Sequence, residues 1–120
     1  MKAEFIPYEQ ALELKELGFD EKCFAAMDMY SNIDYESEMY DFIRNSETVQ
    51  STWAALPLYQ QAFRWFREKY FLGHGINPYS LDTHLIDLED CIFYDIDDVY
   101  TYEEAELACL KKIIEIVKNK

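Results

Sequence analysis

The chain has 120 residues, with 24 Asp and Glu against 11 Lys and Arg, for a formal net charge of -13. That length suits a single domain over residues 1–120, and 50% apolar with 17% aromatic residues is far above what a disordered chain carries. The acidity disfavours direct binding to nucleic acid, because that affinity rests on Lys and Arg displacing counterions from phosphates, and it repels anionic membranes while attracting basic partners.

The N-terminus, MKAEFIPYEQ, carries one Lys and two Glu and has no apolar core, so no signal peptide is expected. No run approaches the roughly 18 apolar residues of a membrane span. Pro7 suits a first helical turn, and Tyr8, Ala11, Leu12, Leu14 and Leu17 recur at near-helical spacing. A helix over 7–17 follows, closed by Gly18, which tolerates a left-handed cap.

Residues 21–53 are ambiguous. The stretches 23–30 and 38–43 read as strands with 31–34 turning between them, but Ala and Met favour helix where Tyr and Phe favour strand, so helix stays open for both. The polar stretch 45–52 reads as loop.

Pro57 opens a second helix in PLYQQAFRWFREKY, with Tyr59, Ala62, Phe63, Phe66 and Tyr70 on one apolar stripe and Trp65 beside it. Stretches 83–88 and 91–96 are short and rich in β-branched and aromatic residues, and only Glu89-Asp90 lies between them. A two-residue hairpin is expected, although primed turns prefer Gly or Asn there. Alternation along the second strand puts Ile92, Tyr94 and Ile96 on one face, with Phe93, Asp95 and Asp97 on the other. Residues 73–77 add a third strand. Thr101 and Glu104 form a capping box, in which the hydroxyl accepts from the Glu104 amide and the carboxylate returns to the Thr101 amide. Asp97, Asp98, Glu103 and Glu104 then sit at the positive end of the helix dipole, with Lys111, Lys112, Lys118 and Lys120 toward its negative end. Ala105, Cys109, Ile113 and Val117 face a core. The fold class that results is α+β, with about three helices on a small, mainly antiparallel sheet.

Three sequences, FIPYEQALELKELGF, PLYQQAFRWFREKY and TYEEAELACLKKIIEIV, resemble small hypothetical proteins encoded by bacteriophages and prophages of Bacteroides and related gut bacteria. The core Trp65-Phe66-Arg67-Glu68-Lys69 after a Pro-led helix start carries most of the likeness, which spans the chain except for about residues 20–52. The resemblance implies a phage or mobile-element setting, a bacterial cytoplasm, and the order helix, sheet, helix in the C-terminal half. It brings no catalytic or cofactor-binding residue.

Cys23, Cys91 and Cys109 are widely spaced, without any CxxC pair, and read as buried free thiols. Two scattered histidines, His74 and His84, give no zinc-type ligand pairing. The run Asp95-Ile96-Asp97-Asp98 lacks the Gly and terminal Glu of a calcium loop. Asp95 and Asp97 on one strand face are compatible with paired-carboxylate chemistry, but a solvated strand edge that discourages aggregation uses the same residues and is the favoured reading. No nucleophile, phosphate or dinucleotide motif is present, so no metal, cofactor or catalytic residue is assigned.

Charge distribution is the most specific feature. Between Lys69 and Lys111 there is no Lys or Arg, and a second such gap runs from Cys23 to Ile43. Asp82, Asp87, Glu89, Asp90, Asp95, Asp97 and Asp98, with Tyr79 and Tyr100, form the candidate interaction surface. The expected function is non-enzymatic docking of this acidic, Tyr-bearing face on a protein partner of basic character, with a homodimer through a strand edge as a further arrangement. A nucleic-acid mimic that occupies a host enzyme's binding groove is the alternative, and a small enzyme with a spatially assembled carboxylate site a distant one.

Overall fold

The computed structural model describes residues 5–21, 23, 25–28, 30, 33–35 and 53–119, with the backbone alone for 33–35. They form three helices and two three-stranded antiparallel sheets, an α+β fold. The strands that sequence patterning assigns to one sheet are thus divided between two. The chain separates into two compact units, Met1–Tyr59 and Gln60–Lys120. No helix among the described residues is long and apolar enough to cross a membrane.

The first unit begins with helix α1 (Tyr8–Glu16). Its end is a Schellman motif: the Phe19 amide donates to the Leu14 carbonyl (2.9 Å) and the Gly18 amide to the Lys15 carbonyl (3.1 Å). Gly18 makes this possible with φ 95°, a conformation in which any Cβ would crowd the following carbonyl. Leu14 and Phe19, the two residues that such a motif brings together, are both fully buried.

Strands β1 (Ala25–Met27), β2 (Ile33–Tyr35) and β3 (Ala54–Leu56) form the first sheet in the order β2-β1-β3. β1 lies inside the expected strand 23–30. β2 overturns the turn expected at 31–34: Ile33 and Tyr35 are strand formers, and they pair with Met27 and Ala25. β3 is legible neither from periodicity nor from propensity, since Ala-Ala-Leu favours helix. Small side chains explain its place, because Ala54 and Ala55 are completely buried on the strand that α1 packs against. The Lys15 ammonium donates to the Trp53 carbonyl (2.6 Å), tying the helix to the residue before β3. The expected strand 38–43 and loop 45–52 lie outside the described residues.

The second unit starts with α2 (Tyr59–Tyr70), where Ala62, Phe63 and Phe66 are buried as the stripe requires. Trp65 is buried too, at 8% exposure, edge-on to Phe66 and Tyr70, with the Lys69 ammonium 5.0 Å from its ring centre. Strands β4 (Leu72–Ile76), β5 (Thr83–Asp87) and β6 (Ile92–Ile96) follow as an antiparallel sheet in the order β4-β5-β6. Helix α3 (Tyr102–Lys118) packs against all three, burying Ala105, Cys109, Leu110, Ile113, Ile114 and Val117.

Burial alternates along β5: Thr83, Leu85 and Asp87 are buried, while His84 and Ile86 are half-buried. Paired residues share a face, so Leu72, His74 and Ile76 lie on the side of Leu85, as do Ile92, Tyr94 and Ile96; of these Leu72 is buried, His74, Ile76, Tyr94 and Ile96 are half-buried and Ile92 is exposed. The other face carries Gly73 and Gly75 from β4, His84 and Ile86 from β5, and Phe93 and Asp95 from β6. The β5–β6 connection is a four-residue loop, 88–91, where two residues were expected, because Glu89-Asp90 cannot make a primed turn cheaply. Cys91 takes up the left-handed step with φ 57°.

Replacing Gly18 by Ala is expected to lower unfolding stability by about 1–2 kcal/mol, the cost of a Cβ in the left-handed region. Urea denaturation monitored by circular dichroism measures it.

Candidate functional site

The residues expected to form one acidic face fall into two groups. Asp82, Asp95, Asp97 and Asp98 line an open cleft of about 500 Å3 with Ser80 and His84. Glu89 and Asp90 are exposed in the loop at the opposite end of β6. Five strand residues at about 3.3 Å each put roughly 16 Å between the groups.

Asp87 belongs to neither. It is 3% exposed, and its Oδ1 accepts from the amides of Glu89 (3.0 Å) and Asp90 (3.1 Å). Inward alternation on β5 takes this carboxylate off the surface and turns it into the cap of the hairpin loop.

The cleft wall from residues 77 to 82 is rigidly bonded. Asn77 Oδ1 accepts from the Tyr79 and Ser80 amides at 2.9 and 3.3 Å, and the Asn77 amide donates to the Asp82 carbonyl at 2.9 Å. The Ser80 hydroxyl donates to Asp82 Oδ2 at 3.0 Å. This turn drives Tyr79 into solvent, 97% exposed. On the other side Asp98 adopts φ 62° and leads to Tyr100, 77% exposed. Glu104 reaches back one residue further than a standard capping box: its carboxylate accepts from the Tyr100 amide (3.0 Å), not the Thr101 amide, while Thr101 Oγ1 accepts from the Glu104 amide (3.1 Å). The cap of α3 therefore also anchors Tyr100 beside the acidic run.

The two histidines differ. His84, paired with Gly75 and Asp95, lays its ring over Gly75, where an added Cβ would meet Cε1 at 2.6 Å. Phe93 stands 6.2 Å away on the same face. His84 and Phe93 were not singled out from the sequence as surface partners; cross-strand register was the signal that joins them. His74 stacks on Phe63 at 3.8 Å, and burial, with Arg67 and His84 nearby, holds its imidazole below the ordinary range. It is a neutral packing group.

Burial pushes the Cys23 thiol up to about 12, helped by Glu21 and Asp20, and the Cys109 thiol up to about 12, helped by Glu106, so neither yields a thiolate near neutrality. Cys91 departs from the expected burial because it sits exposed at the hairpin turn. Among the described residues no three His, Cys, Asp or Glu side chains converge where a metal ion would sit. The carboxylates of the cleft point instead into an open, solvated space, a geometry suited to long-range attraction of cations on another molecule.

No protein-family model, curated protein or solved structure matches the chain.

Two outcomes follow from these side chains. Asp87→Ala should destabilise the protein by about 1–3 kcal/mol, the cost of leaving loop amides without their acceptor, seen as a lower urea midpoint. For His74 the unfolded chain takes up a proton near 6.5 while the folded chain resists until a lower pH. Stability should therefore be full above about 6.5 and fall as pH drops from there toward the lowered folded value. His74→Phe, which keeps a ring against Phe63, should flatten that part of the curve of thermal midpoint against pH.

Proposed function

We propose that this chain is a non-enzymatic interaction protein that docks an acidic, tyrosine-bearing surface on a basic protein. The observation that carries this reading is the cleft itself: four Asp side chains line it, and Tyr79 and Tyr100, 97% and 77% exposed, adjoin its walls in sequence. Among the described residues no Lys or Arg pairs with Asp95, Asp97 or Asp98. Carboxylates at such density project a potential of several kT, which speeds encounter with a cationic surface and falls off with salt. Tyrosine suits the contact that follows, since its ring supplies apolar area and its hydroxyl a hydrogen bond.

The resemblance of the helix starts to phage and prophage proteins supports a reading in which the chain acts as an accessory protein in a bacterial cytoplasm. The partner's cationic surface can be one that otherwise holds DNA or RNA, and competition by duplex would identify that case.

The test compares the wild type with Asp82→Asn/Asp95→Asn/Asp97→Asn/Asp98→Asn and with Tyr79→Ala/Tyr100→Ala in affinity capture from bacterial lysate, at low and physiological salt. A basic protein held by the wild type should bind the fourfold variant at least about tenfold more weakly, and its retention should fall with salt. Partners captured equally by both, or insensitive to salt, would overturn the reading.

A further inference from the structure

We infer that the partner docks by adding an extended, basic segment of its own chain to the free edge of β6. The inference rests on the basic partner proposed above and specifies how that partner is held.

β6 is the last strand of its sheet, with β5 as its one neighbour among the described residues. An edge of this kind presents unpaired backbone donors and acceptors, and proteins usually protect it with Lys, Pro, a bulge or a covering element. β6 has neither Lys nor Pro, and it pairs with β5 residue for residue from Asp87↔Ile92 to Thr83↔Ile96, without a bulge. Its apolar residues are open as well, Ile92 at 45% and Phe93 at 66% exposure. Phe93 shares the outer face with Ile86, and β4 contributes only Gly73 and Gly75 there, so the apolar ground beside the edge is shallow and accessible.

Charge selects the occupant. Glu89 and Asp90 lie beyond one end of β6, while Asp95, Asp97 and Asp98 lie at the other. Antiparallel pairing of two copies through β6 would set each acidic end against an acidic end of its twin, and like charges opposed across strands are destabilising. A strand carrying Lys or Arg at its ends meets attraction at both. Period-two alternation then places basic side chains on the outer face, their charge beside Asp95 and their aliphatic stems beside Phe93, and apolar ones on the face of Ile92, Tyr94 and Ile96. Strand addition supplies affinity through main-chain hydrogen bonds and specificity through these alternate side chains.

The experiment uses the full chain and fluorescent peptides of about nine residues alternating Lys and Val, a Glu-Val counterpart, and two versions of the Lys-Val peptide N-methylated on alternate residues, one in each phase. Fluorescence anisotropy should show the Lys-Val peptide binding at least about tenfold tighter than Glu-Val, and one methylated phase losing about tenfold or more while the other does not, because only one edge of a strand donates to β6. Phe93→Ser should weaken binding with little change in thermal midpoint, Phe93 being mostly exposed. Equal binding of the parent and both methylated peptides would overturn strand addition and leave the basic-partner reading standing. No preference for Lys-Val over Glu-Val would overturn that reading itself.

Discussion

The acidic surface depends on the register of β5, and Asp87 fixes that register. β5 is the central strand of its sheet, and a slip of one residue would exchange Thr83, Leu85 and Asp87 for His84 and Ile86 on the buried face. Leu85, fully buried, resists the slip by its hydrophobic transfer energy, about 1.5–3 kcal/mol. Asp87 adds directionality that an apolar contact lacks. Its carboxylate accepts from two loop amides, which favours closing the hairpin over 88–91, and β6 follows with Phe93 and Asp95 outward. One buried acid thereby sets the positions of the exposed ones.

Strong like charge on a small unit works against compaction, and the fold answers this by position. Apart from Asp87, the acids of the sheet stand at strand ends, in loops or on the outer face, where water screens them. Glu103 and Glu104 occupy the first turn of α3, where the unpaired amides of the helix welcome negative charge, and Lys118 occupies the last. Lys112 and Glu115 pair at 3.6 Å on the exposed side of the same helix. Repulsion is thus spread over the periphery, and α3 can bury an unbroken apolar stripe beneath it.

The helices were largely legible in the sequence because each announced itself by period and punctuation. Pro7 and Gly18 framed α1, and Thr101 with Glu104 opened α3. Strands β4, β5 and β6 were legible from alternation and side-chain type. β3 was not, since Ala-Ala-Leu has no periodicity and its conformation is decided by pairing with Ala25–Met27 and by α1 above it. Asp87 shows the same limit at the candidate site. By composition it is one more acid among seven candidates, and only cross-strand register reveals that it points inward. The division of the others into two groups about 16 Å apart likewise depends on a strand standing between them.

Glycine scarcity links the backbone to the surface. With three glycines in the chain, the left-handed steps around β4, β5 and β6 fall to Phe71, Leu81, Cys91 and Asp98, with φ between 57° and 62°. A residue with a Cβ pays about 1 kcal/mol or more for such a conformation, so each step must be held by its surroundings. The Phe71 carbonyl accepts from Leu88 (2.8 Å), and the Leu81 amide donates to Asn77 (2.7 Å). Loops held in this way spend little further entropy when something binds beside them, which favours recognition by a preformed surface. The same four positions keep side chains where glycine would leave none, and at Asp98 that side chain is a carboxylate lining the cleft. At Asp98 conformational strain and acidity are therefore placed together, and the charge held there is the charge that a basic strand would meet.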